Sequence, residues 1–290
     1  SAQDLAAVLQ ALPPSLRGLP DEVRIEGPLQ AHLTAAGDAL DLSVNLDAAR
    51  VRYLDVPEGK TAAEATTSLF DKPAARPLHV ALHGKRGAKA LDIDKLELVV
   101  DTAKISGTLS LPTDKGAPFL ADLASGPVQL ASLKDLAPPF AEALGRGQRI
   151  DGTVELKVKA LTDGGKQLAD AALDMRALDV NLAATTVRGA GSITIKAQPQ
   201  GGDVDLSVLA NLDGLSVTKR GDDGSTTLSK PAGLPLRLDA VAKKTKTRAD
   251  FSKLALAIGR STINGRGSIS DLDKETSRLD IDLGQLQLGF

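Results

Sequence analysis

The sequence predicts an all-β protein: an elongated, curled, antiparallel-rich repeat sheet, U-shaped around a groove, with one or two short helices. Three observations carry the all-β repeat part of the prediction. Apolar and polar residues alternate with period two along most of the chain. Gly, Asp, Asn and Pro break that alternation at short intervals. And the stretch from Pro77 to Gly107 recurs, without a gap, from Pro235 to Gly265.

The alternation is clearest in Leu40-Asp41-Leu42-Ser43-Val44-Asn45-Leu46-Asp47 and in Val154-Glu155-Leu156-Lys157-Val158-Lys159. Val204-Asp205-Leu206-Ser207-Val208, Leu236-Arg237-Leu238-Asp239 and Leu279-Asp280-Ile281-Asp282-Leu283 repeat the form. Successive side chains of a strand point to opposite faces, so strict alternation marks a half-buried strand. Many such strands between turn residues mark an all-β architecture. Helical signal is sparse. Asp4 is placed to cap a short helix that ends at Leu12, before Pro13-Pro14, and a second piece is expected from Pro138 to Leu144, with Gly145 as its stop.

Internal repetition is the most informative feature. Lys72-Pro73-Ala74 returns as Lys230-Pro231-Ala232. Leu98 then falls on Leu256, Val100 on Ile258 and Ile105 on Ile263. Upstream, Gly27-Pro28-Leu29 aligns with Gly191-Ser192-Ile193 and Asp41–Val44 with Asp205–Val208. Asn45-Leu46-Asp47 aligns with Asn211-Leu212-Asp213 after two extra residues. A fainter third copy lies between them, where Leu178, Leu182, Val187 and Gly189 echo Leu96, Val100, Ile105 and Gly107. The organisation expected is a short helix and connector over 1–20, a first β-repeat block over 21–131, a helical connector over 132–150 and a second block over 151–290. The two blocks are expected to be continuous as one elongated domain. About twenty strands at about 4.8 Å each would give a body on the order of 100 Å long.

A repeat of amphipathic strands cannot bury its apolar face alone. It either closes on itself with a dry core or curls partway into a trough that needs an apolar guest. Gly107, Gly189, Gly265 and Gly267 lie in or between strands, where they act either as bends that curve the sheet or as plain turn glycines. Gly152 and Gly27 read as ordinary strand starts. The candidate lining of a trough is aliphatic: Leu42, Val44, Leu78, Val80, Leu96, Leu98, Val100, Leu156, Val158, Leu206, Val208, Leu236, Leu238, Leu254, Leu256 and Ile258. Each buried methylene contributes roughly 0.8 kcal/mol, so an acyl chain could be held with no specific polar contact. The competing reading is that these side chains pack on one another.

Composition narrows the function classes. The 290 residues are 42% hydrophobic and 25% charged, enough to bury a substantial surface. Aromatic content is only 2%, which does not suit an outer-membrane barrel with its aromatic girdles. With 35 basic against 37 acidic residues, there is no bulk electrostatic reason to bind nucleic acid. The one dense basic run, Lys243, Lys244, Lys246 and Arg248, reads as a solvated hairpin edge, with a headgroup-attracting patch as the alternative. The absence of cysteine excludes disulfides, thiolate metal sites and Cys nucleophiles. No run approaches the roughly 18 apolar residues of a membrane span. Ser1 opens directly on a helix-like segment and Phe290 ends a strand-like one, so the chain is expected to be a piece of a longer protein.

Catalytic signatures are missing. His79 and His83 share a strand face about 13 Å apart, too far for one ion. Asp41, Asp47, Asp92, Asp94, Asp203, Asp205, Asp280 and Asp282 take regular polar-face positions, and His32 stands apart from them. No paired acids, nucleophile elbow, phosphate loop or calcium nonapeptide is present. The expectation is a non-enzyme with no cofactor and no metal.

Several phrases resemble the AsmA-like family of bacterial envelope proteins (the AsmA, TamB and YhdP type). They are Asp135-Leu136-Ala137-Pro138-Pro139 with Gly152-Thr153-Val154-Glu155-Leu156, and Ala90–Leu98 with Ile105-Ser106-Gly107. Leu254–Gly259 with Ile263-Asn264-Gly265-Arg266-Gly267 is the third. The resemblance covers nearly the whole chain and rests on a strand-and-glycine rhythm. It implies a periplasmic fragment of an inner-membrane-anchored protein, whose hydrophobic β-groove conducts phospholipid, or another acyl-chain ligand, between inner and outer membranes. The alternative is a structural β-solenoid or scaffold for envelope or outer-membrane protein assembly, binding an envelope protein partner by strand addition.

Overall fold

The computed structural model describes residues 22–56, 61, 63–114, 118–144, 147–163, 166–221, 223–272 and 278–287. The helix expected over Asp4–Leu12 lies outside the described residues. The described residues are all-β and antiparallel, with two short helices. It divides into two compact units, Ser1–Ile150 and Asp151–Phe290.

In the first unit the strands are β1 (Val23–Glu26), β2 (Gln30–Ala36), β3 (Ala39–Asn45), β4 (Arg50–Asp55), β5 (Thr67–Lys72), β6 (Leu78–Arg86), β7 (Ala90–Val100), β8 (Ala103–Pro112), β9 (Phe119–Ser125) and β10 (Val128–Gln129). β2, β3, β6, β7, β8 and β9 pair antiparallel in that order. β4 and β5 are made between β3 and β6, and with β1 they form a separate three-stranded sheet. Two helices follow, α1 (Leu130–Leu136) and α2 (Pro138–Ala143). Pro138 opens α2, where its missing N–H costs nothing. Leu136 and Leu144 are buried and anchor the pair, which packs against β5.

The second unit contains β11 (Arg149–Asp163), β12 (Lys166–Leu182), β13 (Thr185–Gln200), β14 (Asp203–Asn211), β15 (Leu215–Arg220), β16 (Thr226–Lys230), β17 (Leu236–Lys244), β18 (Arg248–Ile258), β19 (Ser261–Ser270) and β20 (Arg278–Gln287). β12, β13, β14, β17, β18, β19 and β20 pair antiparallel in that order. β15 and β16 are made between β14 and β17, just as β4 and β5 are made between β3 and β6. Among the described residues no pairing joins the first of these strands to the last in either unit, so neither sheet closes into a barrel.

Register shows how the repeat is built. Val44 pairs with Val80, and Ala210 pairs with Leu238. The copy of Val44 is therefore Ala210, not Val208, and the copy of Leu42 is Val208. The alignment read from Asp41–Val44 slid by two residues. Alternation hides such a slip, because a shift of two keeps every side chain on its own face. Gly27 is likewise matched to Gly189, since Glu26 pairs with Arg50 where Arg188 pairs with Ser216. Both glycines have positive φ, 115° and 118°. Gly27 is thus no ordinary strand start. It breaks the chain between β1 and β2, whereas unit 2 runs through the same place as the single long strand β13.

Three hairpins, β7–β8, β12–β13 and β18–β19, share one construction. Each has a bulge, between Ile93 and Leu96, Met175 and Leu178, or Phe251 and Leu254. The leucine after the bulge faces a glycine: Gly107, Gly189 or Gly265. Two-residue turns close them, starting at Asp101, Ala183 and Gly259 with φ of 54°, 41° and 60°. Positive φ at that position matches the right-handed strand twist. Two of the glycines are forced by contact. A Cβ on Gly107 would lie 1.9 Å from the Asp122 carbonyl oxygen, and one on Gly189 would lie 2.1 Å from that of Gly214. Gly152 also lies inside a strand rather than at its start. Its φ is 110°, and a Cβ there would lie 2.8 Å from the Ala177 carbonyl oxygen.

A second conserved piece of geometry ties each inserted hairpin to its sheet. Asp47 Oδ1 accepts the Leu78 N–H at 2.7 Å, and Asp213 Oδ1 accepts that of Leu236 at 2.8 Å. Lys72 donates to the carbonyls of Leu46, Asp47 and Ala49 at 2.7–2.9 Å. Lys230 donates to those of Asp213, Leu215 and Pro231 at 2.5–3.3 Å.

Candidate functional site

Strand pairing carries the alternation sideways, so each unit presents one face that is almost wholly aliphatic. In unit 1, one row across the sheet reads Leu33, Leu42, Leu82, Leu96, Gly107, Leu123. The next reads Ala31, Val44, Val80, Leu98, Ile105. Leu78 and Val100 pair on the same face. In unit 2, the rows read Ile195, Val208, Ala240, Leu254, Gly265 and Ile193, Ala210, Leu238, Leu256, Ile263. Leu206 and the Leu236–Ile258 pair extend them. Leu156 and Val158 alternate on β11 with Glu155 and Lys157.

The two faces are covered differently. In unit 1, Leu40, Leu91 and Ile93 form a buried cluster, against which Leu33, Leu82, Leu96, Leu109 and Leu111 pack. Five strands contribute, so at this end of the face the side chains pack on one another. Leu42 and Leu78 are also buried. Val44, Val80, Leu98 and Val100 are only half-buried. In unit 2, Val158, Leu206, Val208, Leu236, Leu238, Leu254 and Leu256 are half-buried. Leu156, Ile195 and Ile258 are exposed at 44%, 41% and 44%. Solvent-facing leucine and isoleucine are ordinary singly. A continuous aliphatic field is not, and marks a surface that something covers.

Sequence reading named part of this face and missed the rest. Leu91, Ile93, Phe251 and Ala249 belong to it, but they sit on the far side of a bulge, where two residues oppose one and the parity of the inward positions changes. The only available signal was the repetition of two-residue irregularities, Asp94-Lys95 and Ser252-Lys253, at matching places in the repeat.

The opposite face is polar and largely paired. Arg188 bonds Asp179, Arg237 bonds Asp213, Lys253 bonds Asp239 and Arg266 bonds Asp282. Asp203 pairs with Lys243, and Asp92 accepts from Ser110. An open cleft of about 530 Å³ lies over this side of unit 2, but its cations Lys243, Arg248 and Arg266 are each ion-paired. The Asp203 carboxylate raises the Lys243 pKa. His83 Nδ1 lies 2.6 Å from Asp41 Oδ1, and Nε2 lies 3.9 Å from Asp94. The hydrogen bond to Asp41 and the two nearby negative charges raise the His83 pKa. His79 sits 3.8 Å from Asp47, and His32 contacts Thr34. Among the described residues no three His, Asp or Glu side chains converge to hold a metal. No helix among them is long and apolar enough to cross a membrane.

Among the described residues the rows of this face therefore offer aliphatic contact, with no nucleophile and no acid–base pair directed into them. No known family, curated protein or solved structure matches the chain.

Proposed function

We propose that this protein binds and conducts lipid along the aliphatic faces of its sheets, in the manner its resemblance to AsmA-like envelope proteins implies. One observation carries the reading: in each unit, consecutive strands contribute aliphatic side chains to a single face that the described residues leave half open. An acyl chain of about ten methylenes laid there would gain on the order of 8 kcal/mol from burial, before the cost of ordering it. Along the aliphatic rows themselves no polar side chain fixes a single bound position, which suits movement along them better than tight storage. On this reading the protein acts as a non-enzymatic carrier without cofactor. It works in the periplasm as part of an inner-membrane-anchored protein, with phospholipid as its cargo.

The test is organic extraction of purified protein followed by mass spectrometry. Co-purified phospholipid near one or more molecules per chain supports the reading. A lipid-free protein that also excludes apolar dyes defeats it.

A second reading, a scaffold that takes an envelope protein by strand addition, is favoured by β5 and β16. Each is paired on one side only among the described residues, and each exposes a leucine, Leu69 at 44% and Leu228 at 55%.

A further inference from the structure

The aliphatic face carries charge at one place in each unit. On β6 the inward positions are Leu78, Val80, Leu82, Gly84 and Arg86. On β17 they are Leu236, Leu238, Ala240, Ala242 and Lys244. Register fixes the faces: Arg86 pairs with Leu91, and Lys244 pairs with Val204 on one side and Ala249 on the other. Arg86 and Lys244 occupy the same position of the repeat, since Pro77–Gly107 falls on Pro235–Gly265. Both are exposed, and both end their strands, so they stand at the same end of each unit's face. The other end is bounded by Leu78 with Val100 and by Leu236 with Ile258, with no charge.

These two cations also differ from most of those on the polar side. Arg188, Arg237, Lys243, Lys253 and Arg266 each have an acidic partner. Neither Arg86 nor Lys244 makes an ion pair or a side-chain hydrogen bond among the described residues. A long basic side chain at the edge of an apolar surface lays its methylenes on that surface and holds its charge at the rim. An unpaired cation there is positioned to meet an anion whose tail lies along the face, through a charge-assisted hydrogen bond.

We propose that Arg86 and Lys244 are headgroup anchors, one in each unit, and that they make the aliphatic face select amphiphiles with an anionic head, oriented with the head at the β6 and β17 C-terminal end. The proposal rests on the lipid reading above and adds to it the charge of the ligand and its direction on the face. The chemistry shared by the candidate ligands is an acyl chain joined to a phosphate.

The experiment uses the full chain and two single-chain probes below their micelle concentrations, tetradecyl phosphate and uncharged tetradecyl maltoside, with inorganic phosphate as a third arm. Binding is followed by isothermal titration calorimetry. Wild type is expected to bind the phosphate amphiphile roughly fivefold more tightly than the maltoside, a preference of the size an exposed charge contact supplies. That preference should shrink in high salt. R86Q/K244Q should abolish it while leaving maltoside binding unchanged, and R86K/K244R should keep it. Equal binding of both amphiphiles by wild type, or a preference that survives R86Q/K244Q, overturns the headgroup anchors and leaves the lipid reading standing. Failure of wild type to bind either amphiphile overturns both. Saturable binding of inorganic phosphate alone, lost in R86Q/K244Q, would make the pair a free-anion site and also overturns the proposal.

Discussion

Lys72 and Lys230 hold the same position in the two copies of the repeat, and each turns its ammonium inward onto three backbone carbonyls. The loop that receives them follows β3 or β14, where Asn45 or Asn211 accepts the N–H of the aspartate two residues on. That aspartate, Asp47 or Asp213, in turn accepts the N–H that opens the next sheet strand. Lysine, loop and aspartate thus fasten the inserted hairpin to the sheet with backbone hydrogen bonds. Bonds of this kind do not depend on which residues fill the aliphatic face, so the face can remain open while the strands stay in register.

Replacing the lysines tests the fastening. Lys72 is fully buried and Lys230 is 8% exposed. Burial pulls the Lys72 pKa below the ordinary lysine value, with Asp47 opposing. Lys72→Met keeps the volume and removes the donor, leaving the buried Ala49 carbonyl without that bond, while the carbonyls of Leu46 and Asp47 keep the N–H groups of Ala49 and Ala75. A loss of about 3 kcal/mol in urea unfolding is expected. Lys230→Met should cost less, because Lys230 itself is less completely buried than Lys72. An equal, negligible effect at both sites would show that the lysines merely fill space.

The bulge glycines give a sharper steric prediction. Gly107→Ala would set a methyl group 1.9 Å from the Asp122 carbonyl oxygen, and Gly189→Ala would set one 2.1 Å from that of Gly214. Strands must separate to admit either. Each should destabilise its unit by about 2–4 kcal/mol in chemical denaturation. Gly201→Ala is the control, in a turn where a Cβ meets nothing within 4 Å; its φ of 68° leaves a smaller cost of about 1 kcal/mol.

The strands and the repeat were legible in the sequence because alternation and turn residues are local signals, and Pro77–Gly107 repeats without a gap. Three things were not legible. The offset of β3 was misread because a two-residue slip preserves both faces. Leu91, Ile93 and Phe251 were missed because a bulge resets parity, and a sequence does not show which of two residues bulges out. The burial of Leu40, Leu91 and Ile93 was not legible either, since it is set by packing among five strands rather than by any one of them. Helix α1 falls mostly within the helical connector expected over 132–150, but as a separate helix its seven residues give too little periodicity to stand out beside the proline-led α2.

His83 provides a pH-dependent test of the polar face. Its folded pKa is raised by the Asp41 hydrogen bond and by the charges of Asp41 and Asp94. Protonation therefore favours the folded state. The stabilisation is fully present below the unfolded histidine value and is lost as pH rises through the folded value. NMR titration of the imidazole should show His83 protonating above the ordinary histidine range, and Asp41→Asn should bring it down towards that range. An unchanged midpoint in that variant would mean that the 2.6 Å contact does not persist in solution.

The aliphatic face yields the most direct functional prediction. Leu98 and Leu256 are equivalent in the repeat, both half-buried, and each pairs with an isoleucine on the next strand, Ile105 or Ile263. A carboxylate at either place would face acyl chain rather than water, so its desolvation should expel the ligand. Leu98→Asp with Leu256→Asp is expected to lower co-purified phospholipid at least about tenfold. Half-burial leaves the new carboxylates partly solvated, so the strands should remain folded by circular dichroism. Ala257→Asp is the control. It sits next to Leu256 on the opposite face, across from Arg237, and should carry lipid as wild type does. If the double variant folds and keeps its lipid, the ligand lies elsewhere. If Ala257→Asp loses lipid equally, the loss reflects general destabilisation rather than contact with the face.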